Sequence, residues 1–144
     1  MTDKEKLIKA KEFMDANDFG KSLDLLLTIS DENHTDKFIE MRYLFLANCY
    51  LKTKNYDYSL ECCDEVLKLN SSNELASQLK YLTYFQLKDY DNALLEIITF
   101  LKYNPAELYK ITLGELLEDI KTGNISDDAV VNAIKILAEE NGVL

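Results

Sequence analysis

The chain has 144 residues, of which 47% are hydrophobic and 29% charged, a composition that fits one folded domain and argues against a disordered segment. With 16 Lys and Arg against 26 Asp and Glu, the net charge is −10, which argues against nucleic acid or an anionic membrane surface as a partner. The amino-terminal stretch MTDKEKLIKAKEF is charged throughout, and the most apolar later stretch, ALLEIITFL, is short and contains Glu96. We therefore expect no secretory signal, no membrane insertion and a cytoplasmic location.

Helices account for every segment, because no run of alternating Val, Ile or Thr residues is flanked by hairpin turns. Three stretches match one another in chain order: NDFGKSLDLLLTIS, KNYDYSLECCDEVL and KDYDNALLEIITFL. Their equivalent residues Asp18, Asn55 and Asp89 are 37 and then 34 residues apart. The pattern predicts repeated helix pairs with a period of 34 residues and a three-residue insertion near SDENHTD.

Two further helices are predicted after the repeats. Asn104, Pro105 and Glu107 are residue types that begin a helix, and Gly123 is one that follows its end, so we predict a helix over about 105–121. The segment Ser126-Asp127-Asp128 then opens a helix that runs to Gly142. Each predicted helix has an apolar stripe with which it would cap the repeats: Leu113, Leu116, Leu117 and Ile120 on the first, and Val130, Ala133, Ile134 and Leu137 on the second.

The repeats resemble the tetratricopeptide repeat family. That family's unit has a helix with a large residue, a leucine, a small residue and an aromatic residue, then a turn and a second helix with another small residue. The middle repeat has these types at Tyr43, Leu46, Ala47, Tyr50, Tyr56, Ser59, Cys63 and Val66. The third matches at Tyr84, Tyr90, Ala93, Ile97, Phe100 and Pro105, and the first at Ala10, Phe13, Phe19, Ser22, Leu26 and Ile29.

The resemblance implies one all-α domain over 1–144, a right-handed superhelical array of antiparallel helix pairs. Its repeats would span 3–34, 37–72 and 73–105, and the two capping helices 105–144. In the third repeat Tyr81 stands where the family has a small residue. We therefore expect the helix packing at the start of that repeat to depart from the family's pattern.

In this family the first helix of each repeat lines a concave groove, which binds an extended peptide or a helix of a partner protein. The resemblance therefore implies a non-catalytic protein-binding module, either an adaptor like the co-chaperones or an assembly scaffold. Register with the family assigns eight residues to the groove: Lys11, Met14, Leu44, Asn48, Lys52, Gln78, Leu82 and Phe85.

The stretch ANCYLKTKNYDYSLECC is similar to co-chaperones of the large-immunophilin type. Those repeats hold the acidic carboxyl terminus of heat-shock chaperones in a clamp of Lys, Asn and Arg side chains. The equivalent positions of this chain are Leu7, Lys11, Phe45, Leu75 and Leu79, so only Lys11 keeps a positive charge. We therefore expect no tight binding of a Glu-Glu-Val-Asp terminus.

Two alternatives remain open. One is a small acidic chaperone that holds an apolar client segment, as bacterial secretion chaperones with three such repeats do, and the leucines at 44, 75, 79 and 82 favour it. The other is a subunit of a larger complex, as in the cell-cycle ubiquitin ligase or the mitochondrial fission adaptor. A homodimer through the carboxyl-terminal helices fits either alternative.

The sequence predicts no catalytic residue, no cofactor and no metal site. The single histidine, His34, lies in a polar segment without a nucleophile at motif spacing. Cys62 and Cys63 are adjacent and lack the two-residue gap of zinc and redox motifs, so with Cys49 they are interpreted as reduced thiols. We expect Cys63 to be buried at a large apolar position and Cys62 to lie at a less constrained one.

Overall fold

A computed structural model of the protein describes residues 1–144, which form eight α-helices and no strand. The prediction of an all-α chain is confirmed. None of the helices combines the length and the apolar character needed to cross a membrane. In chain order the helices are α1 (Asp3–Asp15), α2 (Phe19–Leu26), α3 (Asp36–Lys52), α4 (Tyr56–Leu69), α5 (Glu74–Gln86), α6 (Tyr90–Tyr103), α7 (Leu108–Lys121) and α8 (Asp128–Glu140).

The turn between the two helices of each repeat is the same three times. One residue takes a positive φ, and the next donates its N–H to the carbonyl five residues earlier, which closes the first helix. The positive-φ residues are Asn17, Lys54 and Lys88, at 59°, 64° and 59°. The closing bonds run from Asp18 to Phe13, from Asn55 to Tyr50 and from Asp89 to Tyr84, at 2.8, 2.8 and 2.9 Å. The repeat found in the sequence is therefore also a repeat of the backbone.

The odd-numbered helices form a row. Consecutive helices pack on one another from α1 to α6, and α1 also contacts α3, α3 contacts α5, and α5 contacts α7. The helix α7 is held mainly by α5, and α8 packs on α7. The row α1, α3, α5 and α7 is therefore continuous, whereas α6 and α7 are joined less closely.

The first two helix pairs approach each other at a small residue. Ser22 Oγ donates to the carbonyl of Ala10 at 2.9 Å, and Ser59 Oγ donates to the carbonyl of Ala47 at 2.9 Å. All four residues are completely buried. In the third pair Tyr81 takes the place of Ala10 and Ala47, and Ala93 takes the place of the two serines, so the third pair lacks this hydrogen bond.

Two apolar clusters make up the core, and they meet within α5 at Leu79 and Tyr81. The first joins α1 to α4 and includes Leu7, Ala10, Leu26, Ile29, Leu46, Ala47, Cys49, Cys62, Cys63 and Leu79. The second joins α5 to α8 and includes Tyr81, Ala93, Ile97, Phe100, Ala106, Tyr109, Leu113, Leu116, Ile134 and Leu137. The predicted stripes of α7 and α8 contribute to this second cluster, so both helices share a core with α5 and α6.

The predicted beginning of the first capping helix is wrong by about three residues, because α7 begins at Leu108. Asn104 closes α6 instead of opening α7, since its side-chain amide and its backbone N–H both donate to the carbonyl of Phe100. The free N–H groups at the start of α7 bind the carboxylate of Glu74 on α5. The predicted end is confirmed, with Gly123 at φ 83°.

One acidic residue per repeat reaches to the start of the next odd-numbered helix. Asp3, Glu40 and Glu74 are separated by 37 and 34 residues, the same spacings as the turns. Asp3 pairs with His34, just before α3, at 2.8 Å. Glu40 accepts from Asn73, the residue that caps α5. Glu74 accepts from the backbone of α7, so the same position of each repeat holds its neighbour.

Candidate functional site

The eight residues predicted to line a groove all lie on α1, α3 and α5, which pack side by side. On α3 and α5 they recur at helical spacing along one stripe of each helix. The exposed members are Lys11, Lys52, Leu82 and Phe85, and the half-buried members are Met14, Leu44, Asn48 and Gln78. The structure thus brings the predicted residues onto neighbouring helices, with their apolar and polar members interspersed.

Some of these residues already have partners within the chain. Met14 and Leu44 pack against the first core cluster. Gln78 donates its side-chain amide to Thr112 Oγ1 of α7 at 3.2 Å, and Lys11 pairs with Asp15 on its own helix at 3.0 Å. The exposed apolar side chains Leu82 and Phe85, at 38% and 42% exposure, are therefore the ones most available to another molecule.

Two of the five clamp positions lie in the core. Leu7 and Leu79 are 6% and 7% exposed and belong to the first apolar cluster. Phe45 is half-buried, and Leu75 is exposed on α5. Of the five positions, only Lys11 therefore has a cationic side chain, and it pairs with Asp15 on its own helix at 3.0 Å.

A cavity of about 640 Å³ lies between the pairs α5–α6 and α7–α8. Ten of its fourteen lining residues are apolar, and the charged ones are Asp119 and Asp127. Phe85 lines this cavity as well as belonging to the predicted groove, so the two are continuous at that side chain. The apolar lining is formed by Tyr81, Phe85, Tyr90, Ala93, Leu94, Ile97, Leu116, Ile125, Val130 and Ile134.

Tyr81 forms part of the wall of this cavity. Its ring fills the place of a small residue between α5 and α6, and it packs against Phe85 and Tyr109, with ring centroids 6.1 and 6.4 Å away. Burial, together with the charges of Glu115 and Asp119, raises the pKa of Tyr81 to about 12. The Tyr81 hydroxyl is therefore neutral at physiological pH. Comparison with the family's repeat pattern had singled out Tyr81, but residues of α8 also line the cavity.

A cluster of polar side chains connects four helices, and the sequence did not predict it. Lys80 of α5 pairs with Asp64 of α4 at 2.8 Å and with Glu96 of α6 at 3.4 Å. Burial alone would lower the pKa of Lys80, but the bond to Asp64 and the charge of Glu96 raise it, so the ammonium is kept. Ser77 donates to Glu96 at 2.7 Å and bonds the Tyr109 hydroxyl at 2.8 Å. The polar groups of this cluster bond one another, so the cluster holds the helices together.

The three cysteines are free and buried. The prediction for Cys63 is confirmed, since it is completely buried, and Cys62, predicted at a less constrained position, is also buried, at 8% exposure. Burial raises the pKa of each of these two thiols to about 12. Both thiols are therefore protonated at neutral pH, which suits packing and not nucleophilic chemistry.

His34 contacts an aromatic ring and a carboxylate. Its ring stacks on Phe38, with centroids 3.9 Å apart, and its Nε2 faces Asp3. No group of three or more His, Cys, Asp and Glu side chains is arranged to hold a metal ion.

The last helix buries most of its apolar face within the chain. Ile134 and Leu137 are 1% and 7% exposed, whereas Ile136 remains 55% exposed. The apolar side chains of α8 thus contribute mainly to the second core cluster and the cavity.

A scan of the chain against models of known protein families gave no match.

Proposed function

We propose that the protein is a tetratricopeptide-repeat interaction module, which binds a segment of a partner protein along the surface of α1, α3 and α5. The observation that carries the proposal is the exposure of Leu82 and Phe85 on a row of helices that recur with the family's period. The turn geometry at Asp18, Asn55 and Asp89 supports the family, because it repeats at the 34-residue spacing with one insertion. A superhelical arrangement of the pairs belongs to the same proposal.

The chemistry of this surface favours an apolar segment with polar or basic neighbours. Leu82 and Phe85 supply apolar contact area, and Asn48 and Lys52 on α3 supply hydrogen-bonding groups. The net charge of −10 repels an acidic segment and attracts a basic one. Protein interfaces usually combine buried apolar anchors with a polar rim.

A selection from a displayed peptide library against the whole chain tests the proposal. Selected peptides would then be measured against Leu82→Glu and against the control Leu95→Glu, which introduces the same charge at a side chain 56% exposed on α6. We expect Leu82→Glu to weaken binding at least about tenfold, since one buried apolar anchor is worth about 1.5–3 kcal/mol. Equal loss with Leu95→Glu, or none with Leu82→Glu, would place the binding surface elsewhere.

A further inference from the structure

The Tyr81 side chain carries an unused hydrogen-bonding group. Tyr81 is 7% exposed, and its hydroxyl bonds no other group of the chain, in contrast to the hydroxyl of Tyr109, which bonds Ser77 at 2.8 Å. No completely enclosed side-chain nitrogen or oxygen of the protein is left without a partner. The Tyr81 hydroxyl is therefore not completely enclosed, and Tyr81 is one of the residues that line the cavity between α5–α6 and α7–α8.

The cavity has the size and the lining of a ligand site. Its volume of about 640 Å³ lies within the range of roughly 300–1,000 Å³ of small-molecule and anchor pockets. Apolar side chains from all four helices or their connections form its walls. Such sites share apolar walls with a small number of polar groups. The neutral hydroxyl of Tyr81, which can donate or accept a hydrogen bond, is one such polar group.

The charge at the cavity has one sign. Asp119 and Asp127 are the charged lining residues, and no Lys or Arg lines the cavity. Glu115 lies near enough to act on the Tyr81 hydroxyl together with Asp119. Asp119 is half-buried, so its attraction for a cation is less screened than that of an exposed carboxylate.

We propose that this cavity is an anchor pocket for the bound partner segment, and that it takes a large apolar side chain followed closely by a Lys or Arg. The apolar side chain fills the space beside Tyr81, and the cation pairs with Asp119, one of the two carboxylates in the lining. The inference rests on the proposed function, because Phe85 joins the pocket to the surface on which the segment would lie.

A small probe tests the pocket without any partner. The probe is 3-phenylpropylammonium, and its matched controls are 3-phenylpropan-1-ol and 3-phenylpropionate, which keep the apolar part and change the charge. We expect the cation to bind about 5- to 10-fold more tightly than the alcohol and the carboxylate to bind most weakly. Nuclear magnetic resonance should show the largest shifts at the methyl groups of Ile97, Ile134 and Val130, which line the cavity.

Two charge variants decide whether Asp119 supplies the attraction. Asp119→Asn should bring the affinity for the cation close to that for the alcohol, while the control Asp24→Asn, an exposed residue of α2, should leave the ratio unchanged. Equal affinity for cation and alcohol in the unaltered protein, or shifts confined to residues outside the cavity, would overturn the inference.

The test separates this inference from the proposed function. Leu82 does not line the cavity, so Leu82→Glu should bind the ammonium probe normally even where it loses selected peptides. Selected peptides should also carry an aromatic or large aliphatic residue next to Lys or Arg, and Asp119→Asn should weaken them about 3- to 10-fold. Peptides that depend on Leu82 but not on Asp119 would overturn the anchor pocket and leave the proposed function standing.

Discussion

The carboxylate of Glu74 accepts a hydrogen bond from the backbone N–H of Leu108 at 2.7 Å, and it binds the neighbouring N–H groups of residues 107 and 109 at 2.8 and 3.1 Å. One side chain at the start of α5 thus occupies the free donors at the start of α7. Because the amino terminus of a helix carries a partial positive charge, a carboxylate is the group best suited to this place. Glu74 therefore sets where α7 begins and how it is joined to the repeats.

Replacing Glu74 by alanine should destabilise the protein by about 1–3 kcal/mol, the cost of a lost helix cap with charge-assisted bonds. The measurement is urea-induced unfolding, together with hydrogen exchange of the amides of residues 108 and 109. Glu107→Ala is the matched control, because Glu107 is exposed and makes no side-chain cap of α7. If both variants were equally stable, the cap would contribute nothing.

The two buried tyrosines of the second core cluster should respond differently to loss of their hydroxyls. Tyr109→Phe removes the bond to Ser77 and should cost about 1 kcal/mol. Tyr81→Phe removes a hydroxyl without a partner in the chain and should change stability by less than about 0.5 kcal/mol. Chemical denaturation of both variants provides the comparison, and a large cost for Tyr81→Phe would show that its hydroxyl is bonded within the fold.

Stability should fall as the pH rises above about 9, the ordinary pKa of a thiol, which applies to the unfolded chain. Below that value both folded and unfolded chains keep their thiol protons, so the contribution of burial is fully present. Between pH 9 and about 12, the folded pKa of Cys62 and Cys63, only the unfolded chain releases them. The free energy of unfolding then decreases by on the order of 1 kcal/mol per pH unit for each thiol.

Denaturation midpoints measured across this pH range check the expectation. The variant in which both Cys62 and Cys63 are alanine should show a shallower decline, although Tyr81, with a pKa raised to about 12, leaves part of it. A decline of the same steepness in that variant would assign the pH dependence to other groups.

An acidic carboxyl terminus should not bind. Leu7 and Leu79 are in the core, and Lys11, the remaining cation at the clamp positions, is paired with Asp15. Calorimetry with a peptide ending in Glu-Glu-Val-Asp should therefore give no heat of binding at micromolar concentrations. Micromolar affinity would contradict the assignment of an apolar, cation-preferring surface.

The repeat period of the fold could be predicted from the sequence because each turn depends on residues that are neighbours in the chain. Asp18, Asn55 and Asp89 follow the positive-φ residues and are of the types that cap helices, so their spacing is readable without a structure. The ends of the last two helices were equally readable, since Gly123 and Gly142 both take positive φ.

Contacts between residues far apart in the chain could not be predicted in this way. The start of α7 depends on Glu74, more than 30 residues earlier, and local capping types at Asn104 and Pro105 indicated a different start. The sequence does show an acidic residue at the repeat spacing at Asp3, Glu40 and Glu74. The role of these residues depends on the group that each side chain contacts, which the spacing does not indicate. The cavity beside Tyr81 depends on where α8 packs, which no local pattern determines.

The most direct test of the account is to map the contact surface of a library-selected peptide by resonance shifts of the protein's backbone amides. The account predicts that the largest shifts fall on α1, α3 and α5, around Asn48, Leu82 and Phe85, and extend to the cavity at Ile134. Shifts confined to α2, α4 and the outer side of α6 would contradict it.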